Sequence, residues 1–299
     1  MLPGMPAKPG IAIVGAGNLA SSLAVSLRAA GYTIEQVIAR APGASLRRAQ
    51  DLARQVGASA AITTRAHIQA EVVWFCVPDR AIAGAAEALL EAAAWKGQVA
   101  LHSSGALASG ELAVLRRQGA AVASVHPMMT FVRRGRPSLE RVSFAIEGDA
   151  RAVRVARSIV RSLGGQSFSI RKEQKEAYHA WGMLASPLLD ALLVVGERVA
   201  GAAGVSRKHA RQRMLPILRQ TLQNYETAGA ADSFSGPIAR GDVATVEKHL
   251  RVLRSVPGAR QVYVALAQAA LRDLPGKNRA AMEKILKSRN SEQSIYTQN

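Results

Sequence analysis

Lys175 and His179 stand four residues apart in the segment KEAYHAWGMLAS, and Met183, Ser186 and Asp190 continue near the same helical face. An amine and an imidazole so placed suit proton donation to a reacting carbonyl oxygen. His126 in SVHPMMTF and Ser103 in HSSGAL add groups able to orient a substrate. Arg240, in the loop SFSGPIARGD, brings a planar donor fork that fits both oxygens of a carboxylate. Each has a plainer alternative. The lysine stem and the histidine can pack on a helical core, Arg240 and Asp242 can simply lock their loop, and Asn224 can be an anchoring residue. The histidines at 102, 126, 179, 209 and 249 are too dispersed for a zinc site, and no ordered Ser-His-Asp set argues for hydrolysis.

A second group of residues points to a dinucleotide. Gly15-x-Gly17-x-x-Ala20 follows the apolar run IAIV and opens a helical pattern, as the phosphate-binding turn requires. Gly15 permits the tight turn, Gly17 the approach of pyrophosphate to backbone amides, and Ala20 close packing; Asn18 and Leu19 lie between them on the cofactor side. Where NAD-binding chains place an acid at the end of the second strand, this one has Arg40, followed by Ser45, Arg47 and Arg48. Those groups suit a 2′-phosphate, so the expected cofactor is NADP, with Arg40 as primary contact and one of Arg47 and Arg48 assisting. Val77 and Pro78, in VPDRAI, close the same crevice from the next strand end, Asp79 being expected as a helix cap. His102, Ser103, Ser104 and His126 lie on two further loops at that rim.

These groups need a frame. Apolar runs at 11–14, 34–40, 71–78, 98–104, 120–127, 141–148 and 166–170 read as strands. Helical patterns at about 18–30, 46–57, 82–94, 111–119 and 151–164 alternate with them. Nearly continuous apolar strands alternating with helices imply a parallel sheet covered on both faces. From Lys172 onward the pattern is helical, over about 172–200, 206–226, 242–255 and 259–273, with Gly and Pro breaks. The fold class is therefore α/β: a Rossmann-like dinucleotide-binding domain at 1–171, then an all-helical domain at 172–290 and a polar tail.

The stretches GAGNLA, LHSSGAL, VHPMMTF, YHAWGMLAS and GPIARGD together resemble the Rossmann-like proteins with a C-terminal DUF2520 domain, over about residues 10–271. More distantly the arrangement is similar to pyrroline-5-carboxylate reductase, ketopantoate reductase and the F420-dependent NADP reductases. That resemblance implies an oxidoreductase whose helical domain builds a dimer and closes the substrate cleft. It also implies a nicotinamide-facing role for Lys175 and His179, and an entrance position for GPIARGD. One departure stands out: Ala185-Ser186-Pro187 replaces the Ala-Ser-Asn of such relatives, which removes an amide and introduces a helix kink.

Composition sets the boundaries. At 299 residues, 48% hydrophobic, the chain can fill two cores, and its lone Cys76 inside VVWFCV reads as an interior thiol, which excludes a disulfide framework. The opening lacks an apolar stretch of signal-peptide length and no later segment has membrane-spanning quality, so a cytoplasmic protein is expected. Although the formal charge is +18, the basic residues are scattered as pairs at 47/48, 116/117 and 133/134 without aromatic interleaving, which argues against a nucleic-acid partner. The reading is an NADP-dependent reductase of a small, carboxylate-bearing carbonyl or imine compound such as a 2-keto acid, acting as a homodimer through apolar helices after residue 188. The alternatives are an NADP-binding dimer without turnover and a deazaflavin-linked reductase.

Overall fold

The computed structural model describes residues 8–133, 135 and 137–287. The polar tail expected at 288–299 lies outside them. Two compact units divide the chain after Ala185, later than the boundary at 171 expected from the pattern.

The first unit holds eight strands in one sheet: β1 (Ile11–Val14), β2 (Ile34–Ala39), β3 (Ser59–Ile62), β4 (Val72–Phe75), β5 (Val99–His102), β6 (Ala121–Pro127), β7 (Ser143–Gly148) and β8 (Gln166–Ser169). Their order is β3-β2-β1-β4-β5-β6-β7-β8. The first six run parallel, and their order reverses between β1 and β4, where such sheets open a crevice at the carboxyl ends of the strands. β7 pairs antiparallel to β6 and β8 parallel to β7, so the sheet is mixed rather than wholly parallel. The physical reason is the connection: the described residues between Pro127 and Ser143 form no helix, and a parallel return needs a crossover of that kind.

Helices α1 (Asn18–Ala29), α2 (Ala44–Val56), α3 (Ile82–Glu87), α4 (Ala113–Arg117) and α5 (Ala150–Ser162) cover the sheet. Alternation along β1 divides the core: Ile11 and Ile13 join Leu23, Leu27, Leu52 and Ile159 on one face. Ala12 and Val14 join Ile82, Leu89 and Leu112 on the other. The helix expected at 82–94 is shorter than its pattern, since α3 stops at Glu87 and Leu90–Ala92 forms a separate 3₁₀ turn. The unit ends in α6 (Lys175–Ala185), which groups with the sheet and not with the helices that follow it.

The second unit comprises α7 (Pro187–Ala202), α8 (Arg207–Ser233), α9 (Pro237–Arg240), α10 (Val243–Val252), α11 (Ala259–Asp273) and α12 (Arg279–Lys287). Pro187 opens α7 at its first turn, so the proline starts a new helix. The stripe expected along 175–190 is therefore broken at Ser186. Val246, Leu250, Ala267, Leu271, Met282 and Leu286 form this unit's main core. Glu197, buried on α7, pairs with Arg211 at 2.9 Å and Arg207 at 3.6 Å, and the Arg211 hydrogen bond holds its carboxyl below the usual range. The GPIARGD stretch, expected as a loop, is one helical turn bounded by Gly236 at φ 95° and Gly241 at φ 70°, both left-handed. Asp242 caps α10 as expected: its carboxylate accepts from the Thr245 amide at 3.0 Å.

Candidate active site

The turn after β1 is shaped by its glycines. Gly15 adopts φ +106°, and a Cβ there would stand 2.5 Å from the Cys76 carbonyl oxygen and 3.1 Å from Val77 Cγ1, so this turn and the β4 loop pack without room for a side chain. Gly17, which precedes α1, faces open space: a Cβ there would meet nothing within 4 Å. No acidic residue stands in the first turn of α1, leaving its amides and dipole for an anion. Ala20 is fully buried against the sheet. Asn18 donates its side-chain amide to the Phe131 carbonyl at 3.0 Å, and Leu19 packs partly buried against the core. A turn closed at Gly15 and open at Gly17 beside free helix amides fits a dinucleotide pyrophosphate.

Arg40 follows β2 and is exposed, its carbonyl fixed by the Thr63 hydroxyl at 3.0 Å. α2 has no acid in its first turn either; Ser45 is half-buried there and Arg47 exposed, while Arg48 returns Nε to the Ala44 carbonyl at 3.3 Å. Val77 is half-buried and Pro78 exposed where β4 ends. Asp79 begins a 3₁₀ turn without capping α3, contrary to the role expected for it.

The polar residues gather at the carboxyl ends of β5 and β6. His102, fully buried, accepts from the Ser104 amide at Nδ1 (3.2 Å), and its Nε2 donates to the Ala108 carbonyl at 3.0 Å. Burial, with the Lys175 charge adding to it, pushes this imidazole down to about 4. Ser103 turns inward and accepts from Trp74 Nε1 at 2.8 Å. Cys76 is pushed up to about 12 by burial, although a hydrogen bond with Ser103 works against that, and the thiol is interior as its apolar run led us to expect. Ser104 accepts from the Ala106 and Leu107 amides through Oγ, folding the loop into a tight turn.

Lys175 is 1% exposed. Its ammonium donates to the Ser104 carbonyl at 2.8 Å and to the Ser124 hydroxyl, which itself donates to the same carbonyl at 3.1 Å. Neither a solvent-facing stripe nor a lysine stem lying on the surface describes it. Burial lowers this amine to about 8, against the opposing pull of Glu147 and Asp79. One turn along α6, Tyr178 Oη lies 2.7 Å from His126 Nδ1, the two rings meeting edge to face. Burial, then the charges of Lys175 and His179, holds His126 down to about 4. The remaining His126 nitrogen and the half-buried His179 ring converge on Gly105, where a Cβ would approach Nε2 and His179 Cδ2 to 2.9 Å each.

The structure thus brings Ser103, Ser104, His126, Lys175 and His179 together in the first unit. Arg240 lies in the second unit, exposed at the end of α9. Ser124, Tyr178 and Glu147 escaped the sequence reading. Ser124 stands two residues before His126 on one strand face and Tyr178 three after Lys175 on one helix face, spacings that would have found both. Glu147, on β7, accepts from the amide and hydroxyl of Ser109 in the turn after β5, a contact between segments 38 residues apart that no local pattern reveals. Among the described residues no group of three His, Cys, Asp or Glu side chains can hold a metal, and no helix is long and apolar enough to cross a membrane.

Residues 5–127 match the Rossmann-like domain, and residues 142–270 match the domain of unknown function DUF2520. No curated protein matches the chain. Among solved structures, a protein from Thermotoga maritima is 27% identical, with a TM-score of 0.69 over 92% of this chain and 99% of its own. A candidate NADP oxidoreductase from Bacteroides fragilis is 21% identical, TM-score 0.72, over 88% and 97%. A pyrroline-5-carboxylate reductase from Coxiella burnetii is 15% identical, TM-score 0.60, over 88% and 98%. They share the fold of this chain.

Proposed function

The chain joins a Rossmann-like domain to a DUF2520 domain, and from that premise we propose that it is an NADP-dependent reductase of a small, anionic carbonyl or imine compound. The observation that carries the reading is the turn after β1, closed by protein backbone at Gly15 and open at Gly17 beside the amides of α1. Arg40, at the end of β2 where an acid would repel a 2′-phosphate, favours NADP. Relatives in fold described as a candidate NADP oxidoreductase and as a pyrroline-5-carboxylate reductase agree with it.

When bound, the nicotinamide supplies hydride. In this reading His179 delivers the proton to the reduced oxygen or nitrogen, its half-buried ring lying beside Gly105 and His126. Neutral His126, fixed at Nδ1 by Tyr178, orients the substrate through Nε2. Lys175, committed to Ser104 and Ser124, supports the loop, and Ser103 supports it through Trp74. The anionic character expected of the substrate rests on chemistry alone: Arg240, in the second unit, carries a planar donor fork that suits a carboxylate.

The test is fluorescence titration with NADPH and NADH, followed by a panel of 2-keto acids and cyclic imines read by loss of nicotinamide absorbance. NADPH is expected to bind more tightly and to be consumed with at least one substrate class. Binding without turnover across the panel would replace this reading with that of a cofactor-binding protein.

A further inference from the structure

α6 meets β6 through two side-chain contacts in matched steps. Ser124 and His126 are two apart on the strand and share a face; Lys175 and Tyr178 are three apart on the helix and share one as well. Lys175 meets Ser124, and Tyr178 meets His126. We propose that Lys175 is a positioning residue for His126: its buried ammonium, held by the Ser104 carbonyl and the Ser124 hydroxyl, keeps that imidazole neutral, so that Nδ1 stays with Tyr178 and Nε2 serves the site.

Burial is the largest influence on the His126 imidazole, and the charge of Lys175, then that of His179, adds to it. From α6 come Lys175, Tyr178 and His179; from β5 comes His102, whose residue pairs with Ser124 across the ladder. Tyr178 is pushed up to about 12 by burial and so contributes no charge near neutrality. Glu147 on β7 and Asp79 after β4 favour the charged form of Lys175, whose amine, at about 8, is mostly protonated at pH 7. A positive charge already fixed in the cluster disfavours a second one on either buried imidazole. Lys175 is 1% exposed with its ammonium committed to protein oxygens, which makes it a partner of the site rather than a group that touches substrate.

The proposal rests on the reductase reading for its catalytic consequence only, so its test reads titration in the free, full-length protein. Histidine-selective NMR, with the His126 resonance assigned from His126→Gln, should show a neutral ring throughout the range above about pH 5. Lys175→Gln keeps a donor for the Ser104 carbonyl but removes the charge, and should raise the His126 midpoint by about one pH unit or more. Lys175→Arg should leave it near the wild-type value. In the unmodified protein the same resonance should show a second inflection near pH 8 as Lys175 loses its proton. An unchanged midpoint in folded Lys175→Gln, or no inflection in the unmodified protein, overturns the proposal. Activity is not measured, so either result leaves the reductase reading standing.

Discussion

Tyr178 Oη stands 2.7 Å from His126 Nδ1, and this contact joins the first helix after the sheet to the carboxyl end of β6. The Tyr178 ring is also held edge to face by Phe168 at 6.0 Å and by Trp181 at 6.2 Å, so removing the hydroxyl alone leaves its packing in place. Tyr178→Phe should cost about 1 kcal/mol of stability by urea unfolding. In the proposed reductase it should lower kcat several-fold while NADPH affinity stays within error. A wild-type kcat in this variant would remove the tyrosine from the orientation of His126.

Gly15 and Gly17 should separate folding from binding. Gly15→Ala drives a methyl against the Cys76 carbonyl at a positive φ and should destabilise the protein by about 1–3 kcal/mol or more in thermal unfolding. Gly17→Ala meets no protein atom and should fold normally, yet weaken NADPH by placing a methyl where the pyrophosphate approaches the amides. Unimpaired NADPH titration of Gly17→Ala would displace the cofactor from this turn.

Much of that turn was legible in the chain, because an apolar run, two spaced glycines and an amphipathic helix are all local signals. The edge strand β3 was not: SAAI is partly exposed and lacks a branched apolar run, so only pairing with β2 defines it. The antiparallel β7 was legible in principle, since the sequence offers no helical pattern between Pro127 and Ser143. The environment of Lys175 was not. A helical pattern assigns lysine to the wet face, whereas this one is buried by a carbonyl 71 residues away and a hydroxyl 51 residues away. No window of sequence contains both.

Arg40 should decide cofactor preference without affecting the fold, since its side chain is exposed and only its carbonyl is used by Thr63. Arg40→Asp places an acid where ribose hydroxyls are read and a 2′-phosphate is repelled. Parallel titrations should show NADPH weakened by about tenfold or more and NADH gained, a change of about 1.4 kcal/mol or more in relative affinity. Retained NADPH selectivity would shift the role to Ser45 or Arg47.

Stability should fall on acidification, and His102 should account for a measurable part. Its folded value of about 4 lies below its ordinary 6.5, so between these values the unfolded chain binds the proton and the folded chain does not. The stabilisation is therefore present above about pH 6.5 and is lost as pH falls towards 4; for a fully buried ring it is about 3 kcal/mol. Carboxylates titrate in the same window, so the control is His102→Asn, which cannot be protonated. Urea unfolding at pH 7 and pH 4.5 should show a smaller loss for the variant than for the wild type. Equal losses would mean that the imidazole takes up its proton as readily in the native protein as in the unfolded chain.

The second unit should form a homodimer. On α7, Leu188 and Leu192 are one turn apart and exposed by 48% and 37%; on α8, Ile217, Leu222 and Tyr225 are exposed by 68%, 61% and 62%. Side chains of this size left open on two packed helices exceed what a solitary surface tolerates, and Leu188 with Leu192, and Leu222 with Tyr225, each share a helix face. A second copy of the chain is the occupant we expect, because an apolar helical surface is self-complementary under a two-fold axis without any matching of charge. Light scattering at micromolar concentration should give twice the chain mass. Leu192→Asp combined with Ile217→Asp should give the monomer while leaving first-unit properties such as NADPH affinity intact, since both positions lie outside that unit. A monomeric wild type would defeat the expectation, as would a dimer that survives both charges.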